Sequence, residues 1–186
     1  MPYPSKTNRE AILDAAVKQV EREGLAKLSL RSLASSLELA PNALYRYFAD
    51  RAHLEAAIAN EGVSRLHVAL TRAASKGDAE QAIRRVAKAY VDFARKNPAL
   101  YNVLMTPGKL PDEEGSAHDE MWVFTVALMG RLTGAQQAPE AGVALWAFLH
   151  GIVTLDQGGV FGPQKPRAAF RFGLDAFLAG LPRFQA

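Results

Sequence analysis

Apolar residues recur at every third and fourth position through almost the whole chain, and this period decides what it can fold into. In residues 7–23, Ile12, Ala16 and Val20 fall on one face, with Leu13 and Val17 beside them. Such spacing builds an amphipathic helix and cannot keep a strand's two faces apart. Gly24 supplies a stop. Ser29 is placed to cap a short helix in which Leu30, Leu33, Ala34 and Leu37 share a face. Pro41 suits the first position of a further helix running to Phe48, because its missing N–H is not needed there. Asp50 and Asp78 are predicted caps for two longer helices, Arg51–Ala74 and one ending before Asn97-Pro98. A short helix is expected over 99–105 and a loop over 106–116, which holds prolines, glycines and acids. Two strongly apolar helices follow, Ala117–Thr133 and residues 139–157, and a last one over 166–178. No segment alternates like a strand, and no repeat is visible. The expected fold is all-α.

Composition narrows the function classes. With 186 residues, 49% hydrophobic and 22% charged, the chain can bury a sizeable core and does not have a disordered composition. It has no cysteine, which removes thiol catalysis and thiolate metal sites. No apolar run is expected to reach a membrane span, and residues 1–9 are polar with no signal-peptide core after them. A cytoplasmic location is expected. The net charge is only +3. Residues 1–51 hold eight Lys and Arg against six Asp and Glu, so most of the surplus lies in the first quarter. A composition break near Arg51 suggests a small head, 1–50, and a larger body, 51–186.

The head has the layout of a helix-turn-helix: two helices of about eight residues around a tight turn at 38–40. On a helical wheel Leu44 and Phe48 lie about 40° apart and face a core, with Leu39 from the turn. Asn42 and Arg46 take the opposite side, Tyr45 and Tyr47 flank the apolar stripe, and Ala43 is small enough to permit a close approach to a base edge. By pattern alone, a helix pair with a merely solvated polar face fits these residues as well.

Specificity comes from a longer match. Arg9-Glu10-Ala11-Ile12-Leu13-Asp14-Ala15-Ala16, Gly24, and Leu28-Ser29-Leu30-Arg31-Ser32-Leu33-Ala34 are followed by Ala40-Pro41-Asn42-Ala43-Leu44-Tyr45-Arg46-Tyr47-Phe48, then Arg51, Leu54 and Ile58. Together they resemble the N-terminal domain of the tetracycline-repressor-like (TetR) family of transcriptional regulators. The resemblance implies that Ser29 and Arg31 open the helix that crosses the groove. It gives Pro41, Asn42, Ala43 and Tyr45 to the reading segment, to which Arg46 is added as a candidate from its place on the polar side of the wheel. Tyr47 and Arg51 would then take phosphate-clamping positions usually filled by histidine and lysine. Two departures stand out. The family's turn glycine is Glu38, and its capping serine or threonine is Ala40.

In the body, Tyr90, Phe93 and Asn97 share one helical face, Trp122, Val126 and Met129 a second, and Trp146, Leu149, His150, Val153 and Gln157 a third. A packed core and a pocket lining both fit such stripes. His150 is costly to bury without a partner, whether in a core, at a subunit contact or beside a ligand. Leu145-Trp146-Ala147-Phe148-Leu149-His150-Gly151 is similar to the Trp-His-Gly branch of the same family. That similarity implies a small effector bound among the central helices; the candidate lining residues, Tyr90, Phe93, Tyr101, Met105, Trp122, Val126, Trp146 and His150, suggest a largely apolar one. It also implies a homodimer through the last two helices, with Val143, Gly151, Leu155, Leu174, Phe177 and Leu178 at the interface. Two heads about 34–36 Å apart would read an inverted repeat in double-stranded DNA.

A rival from another class is an all-α enzyme or small-molecule-binding protein without DNA binding. His53, His67, His118 and His150 are scattered without metal-pair spacing. His118-Asp119-Glu120 near Glu113 and Glu114 fits a solvated acidic loop better than a cation site. No nucleophile elbow or phosphate-cradling glycine loop is present. The expectation is a regulator rather than an enzyme, with no cofactor and no metal.

Overall fold

The computed structural model describes residues 8–106, 116–163 and 166–182. Among them there is no strand, and the elements run α1 (Arg9–Glu23), a 3₁₀ turn (Leu25–Lys27), α2 (Leu30–Ser36), α3 (Pro41–Leu44), α4 (Arg51–Ala74), α5 (Ala79–Lys96), α6 (Pro98–Leu104), α7 (Ala117–Thr133), α8 (Ala138–Gln157) and α9 (Arg167–Gly180). The fold is all-α. Of the loop expected over 106–116, residues 107–115 lie outside the described residues, and Glu113 and Glu114 with them.

The caps form where the residue types placed them. The Asn8 side chain accepts from Ala11 N at 2.8 Å, Asp50 from His53 N at 2.7 Å, and Asp78 from Gln81 N at 2.8 Å. Each satisfies a first-turn N–H that has no partner inside its own helix. Gly24, at φ 81, closes α1 with its N–H on Val20 O at 2.7 Å.

The helix expected over 41–48 is shorter. Beyond Leu44 the chain continues in turns, with Arg46 N on Ala43 O and Tyr47 N on Leu44 O. Ala40 provides no side-chain cap, and the cap of the next helix, Asp50, follows within six residues of Leu44. So short a helix has few backbone bonds with which to hold a regular α geometry.

The chain divides into two compact units. The first comprises the described residues up to Ser64 with those of 97–118; the second comprises Arg65–Lys96 and the described residues from Asp119 onward. In the first unit Ile12, Ala16, Val20, Leu33, Leu44, Phe48, Leu54 and Ile58 form the core, and α6 packs on α1. Glu21 Oε1 accepts from Leu100 N at 3.1 Å, at the N-terminal end of α6 where Asn97 supplies no side-chain cap. Gly62 permits α4 to approach α6: a Cβ there would lie 3.1 Å from Leu100 Cδ1.

In the second unit α5 packs on α8, and Ile83, Val86 and Tyr90 of α5 and Leu145, Leu149 and Val153 of α8 are buried. Arg95 Nε meets Asp156 Oδ2 at 2.9 Å, and Arg84 pairs with Asp175 and with Glu80. These two acceptors hold the Arg84 guanidinium above its ordinary pKa, Asp175 most strongly, so Arg84 stays charged.

Helix α8 corrects one expectation. It is long and apolar enough, by length and composition, to cross a membrane, yet only 33% of that stretch is buried within the chain. The reason is that α8 is apolar on two sides. One meets the core of its own unit, while Val143, Ala144, Ala147 and Leu155 stay exposed on another.

Candidate nucleic-acid interface

The reader is built on a support of buried apolar side chains. Leu33 and Ala34 from α2 and Leu44 and Phe48 from the following segment enter the core beside Ile12 and Val20. This places the polar side of the segment outside that core. Asn42, Tyr45 and Arg46 are exposed, Ala43 and Tyr47 are half-buried, and Pro41 opens α3. At the start of α2, Ser29 and Arg31 are exposed. The Ser29 side chain accepts from Ser32 N at 3.4 Å, and Ser32 Oγ donates to the Ser29 carbonyl at 3.0 Å.

Glu38 settles the shape of the turn. It adopts φ 55, the left-handed region that normally favours glycine. Its N–H donates to Ser35 O at 3.1 Å, and Leu39 N donates to Ala34 O at 2.9 Å. Those two bonds make a Schellman motif, which closes a helix end through one left-handed residue. The glycine's backbone shape is therefore kept with a glutamate in it.

Several supporting residues escaped the sequence reading. Gln19, 6% exposed, donates from Nε2 to Ser32 Oγ at 2.7 Å and fixes α2 against α1. The Arg9 guanidinium lies 5.0 Å from the centroid of the Phe48 ring, and the His53 ring meets Phe48 edge-on at 5.7 Å. Arg51 donates from Nε to Glu55 Oε1 at 2.7 Å and from Nη2 to Leu25 O at 3.2 Å. The Arg51–Glu55 spacing of four is visible in the sequence, but it is shared by many exposed helix pairs. The Gln19 bond joins two helices and leaves no sequence signal.

The expected effector residues have unlike surroundings. Tyr90 and Phe93 are buried in the second unit, where Val126 and His150 are half-buried and Trp122 and Trp146 are exposed. Tyr101, buried, and Met105, half-buried, belong to the first unit. The Trp146 and His150 rings lie 6.4 Å apart, one turn from each other on α8. A broad open hollow of about 580 Å³ in the second unit is lined by Asp78, Ala79, Glu80, Gln81, Arg131 and Leu132, none of them among the expected effector residues.

Of the expected interface residues, Val143 and Leu155 are exposed and Gly151 and Phe177 half-buried. Leu174 and Leu178 lie in the core of their own unit, at 4% and 1% exposure.

A three-helix support that presents exposed Asn, Tyr and Arg side chains on a helix-turn-helix has the layout of a DNA-binding head. Residues 12–58 match the bacterial regulatory proteins of the tetR family, and residues 83–177 match the tetracyclin repressor-like C-terminal domain. The chain belongs to the TetR family of DNA-binding transcriptional regulators.

Over 183 residues it is 25% identical to the uncharacterized HTH-type transcriptional regulator Rv0681 of Mycobacterium tuberculosis, covering 97% of this chain and 84% of that one. A solved structure of a protein with unknown function from Rhodococcus sp. RHA1 is 28% identical, with a TM-score of 0.81 and coverage of 98% and 100%. The structure of BioQ with its natural double-stranded DNA operator shares the fold, at 20% identity, a TM-score of 0.64 and coverage of 94% and 97%.

Proposed function

We propose that the protein is a cytoplasmic homodimeric repressor, released from an inverted-repeat operator by a small, largely apolar effector. The head, residues 1–50, reads DNA through Ser29, Arg31, Pro41, Asn42, Ala43, Tyr45, Arg46 and Tyr47; the body, 51–186, binds effector and dimerises. BioQ, with the same fold, is seen on its double-stranded operator, which supports this use of the head. Trp146 followed by His150-Gly151 supports placing the body in the Trp-His-Gly branch. No turnover is assigned to it.

The dimer rests on one observation. Val143, Ala147, Gly151 and Leu155 recur every four residues along α8, and a Cβ added at Gly151 would meet nothing within 4 Å among the described residues. Glycine in a helix interior costs about 1 kcal/mol relative to alanine, and this protomer has no internal need of it. A second subunit packed on that stripe gives the glycine a reason. Phe172 of α9, 77% exposed, offers a further apolar side chain to a partner.

An effector that binds better to the conformer with misplaced heads lowers DNA affinity by the ratio of its two affinities, typically roughly 5–150-fold. Gly151→Leu tests the dimer. The variant should fold as well as the parent, sediment as a monomer and bind operator far more weakly; an unchanged dimer would exclude this stripe. Arg46→Ala and Tyr47→Ala test the reader. Both should weaken operator binding with the thermal midpoint preserved, and unchanged affinity in both would overturn the assignment.

A further inference from the structure

We infer that Arg51 is a positioning residue of the DNA reader rather than one of its phosphate contacts. Arg51 opens α4 directly after the Asp50 cap. One arm of its guanidinium, Nε, donates to Glu55 Oε1 at 2.7 Å, one turn further on. Another, Nη2, donates to the carbonyl of Leu25 at 3.2 Å, the first residue of the 3₁₀ turn between α1 and α2. Every reader residue, from Ser29 to Tyr47, lies between those two anchors in sequence. Joining Leu25 to Arg51 therefore closes a loop of chain around the helix-turn-helix, and fixes where it begins relative to where it ends.

The Glu55 side chain is 9% exposed, and its carboxylate is in contact with the guanidinium. An opposite charge at that range offsets much of the pull that Arg51 would exert on a phosphate. The Arg51 side chain is 49% exposed, and Glu55 and the Leu25 carbonyl take two of its five N–H donors. The geometry also demands arginine. Its planar fork serves two acceptors in different directions, whereas a lysine ammonium is a single point of charge on a flexible stem. A phosphate clamp at this position would be served by either residue.

The test measures operator affinity against salt, from about 50 to 300 mM, on duplexes recovered by selection, with the thermal midpoint of each variant recorded. A lost phosphate contact flattens the log–log slope by about 0.9, whereas a misplaced reader lowers affinity at every salt concentration alike. Arg51→Lys keeps the charge and loses the bridge. It should bind roughly tenfold more weakly with the parent slope. Glu55→Gln frees Arg51 of its counter-charge, and should likewise bind more weakly with the slope unchanged. Parent-like affinity in Arg51→Lys, or tighter binding with a steeper slope in Glu55→Gln, would make Arg51 a phosphate clamp and overturn the inference. If Arg51→Lys fails to fold, Glu55→Gln decides alone. The inference rests on the DNA-reading role of the head. Failure of the parent protein to bind any duplex would count against that role, and is distinct from a changed slope in a variant.

Discussion

The two compact units are joined internally by different kinds of polar bond. In the first, side chains mostly finish the backbone: Asn8, Ser29 and Asp50 cap helix starts, Gln19 holds Ser32, and Arg51 holds the Leu25 carbonyl. In the second, charged side chains link elements far apart in sequence, Arg84 to Asp175 across 91 residues and Arg95 to Asp156 across 61. A reader must hold a few backbone segments in fixed register, and side chains bonded to backbone groups do that, across three residues in the caps and across 26 from Arg51 to Leu25. A helical bundle must choose which long helices are neighbours, and ion pairs between them contribute to that choice. The difference is one of reach: caps act between residues three apart in sequence, whereas these ion pairs join residues 61 and 91 apart.

Removing one key group from each unit separates their roles most strongly. Leu44→Ala should cost about 2–5 kcal/mol, because a buried leucine leaves a cavity that close packing fills only in part. Denaturant unfolding measures the loss, and DNA binding should fall with it. A cost well under 1 kcal/mol would mean that the reader segment is not seated on this core. Asp156→Ala should cost about 1–3 kcal/mol, since it leaves Arg95, itself largely buried, without that partner. Operator affinity should persist wherever the variant remains folded; if it vanished in folded protein, Asp156 would belong to the DNA-reading machinery and the comparison would fail.

Smaller effects sharpen the account of the head. Glu38→Gly should stabilise by about 1 kcal/mol, because it removes a side chain from a left-handed residue while keeping the Schellman bonds. A loss of stability would show that the Glu38 side chain makes a compensating contact. The least effect belongs to Glu23. A hydrogen bond from the Arg22 guanidinium, opposed by desolvation, holds its carboxyl below the usual carboxylate range. Since the folded-state value is the lower one, its contribution is present at neutral pH and is lost as pH falls through that folded value. Glu23→Gln should therefore slightly reduce the acid dependence of the thermal midpoint; a steeper dependence would reverse the sign.

How much of this was legible follows from the range of each interaction. Asp50, Asp78 and Ser29 announced their caps, because capping depends on residue type and a spacing of three. Leu44 and Phe48 announced their burial through the helical period. The period cannot say which body a face meets. Leu174 and Leu178 show an apolar stripe, but their own unit takes it up; Trp122 and Trp146 fit a core pattern and remain exposed. Glu38 could be seen as a departure from a glycine position, while the preserved left-handed backbone could not. Arg51 was legible as a cation at a phosphate-contacting position. Its two bonds depend on Leu25 coming near it, 26 residues earlier in the chain.

The proposed dimer would read DNA with two heads at once, and selection of bound duplexes from a random pool puts this to the test. The expected result is an enriched inverted repeat whose half-sites are centred about one helical turn, 34–36 Å, apart. Recovery of no motif by folded protein at low salt, or of a single unpaired half-site, would contradict it.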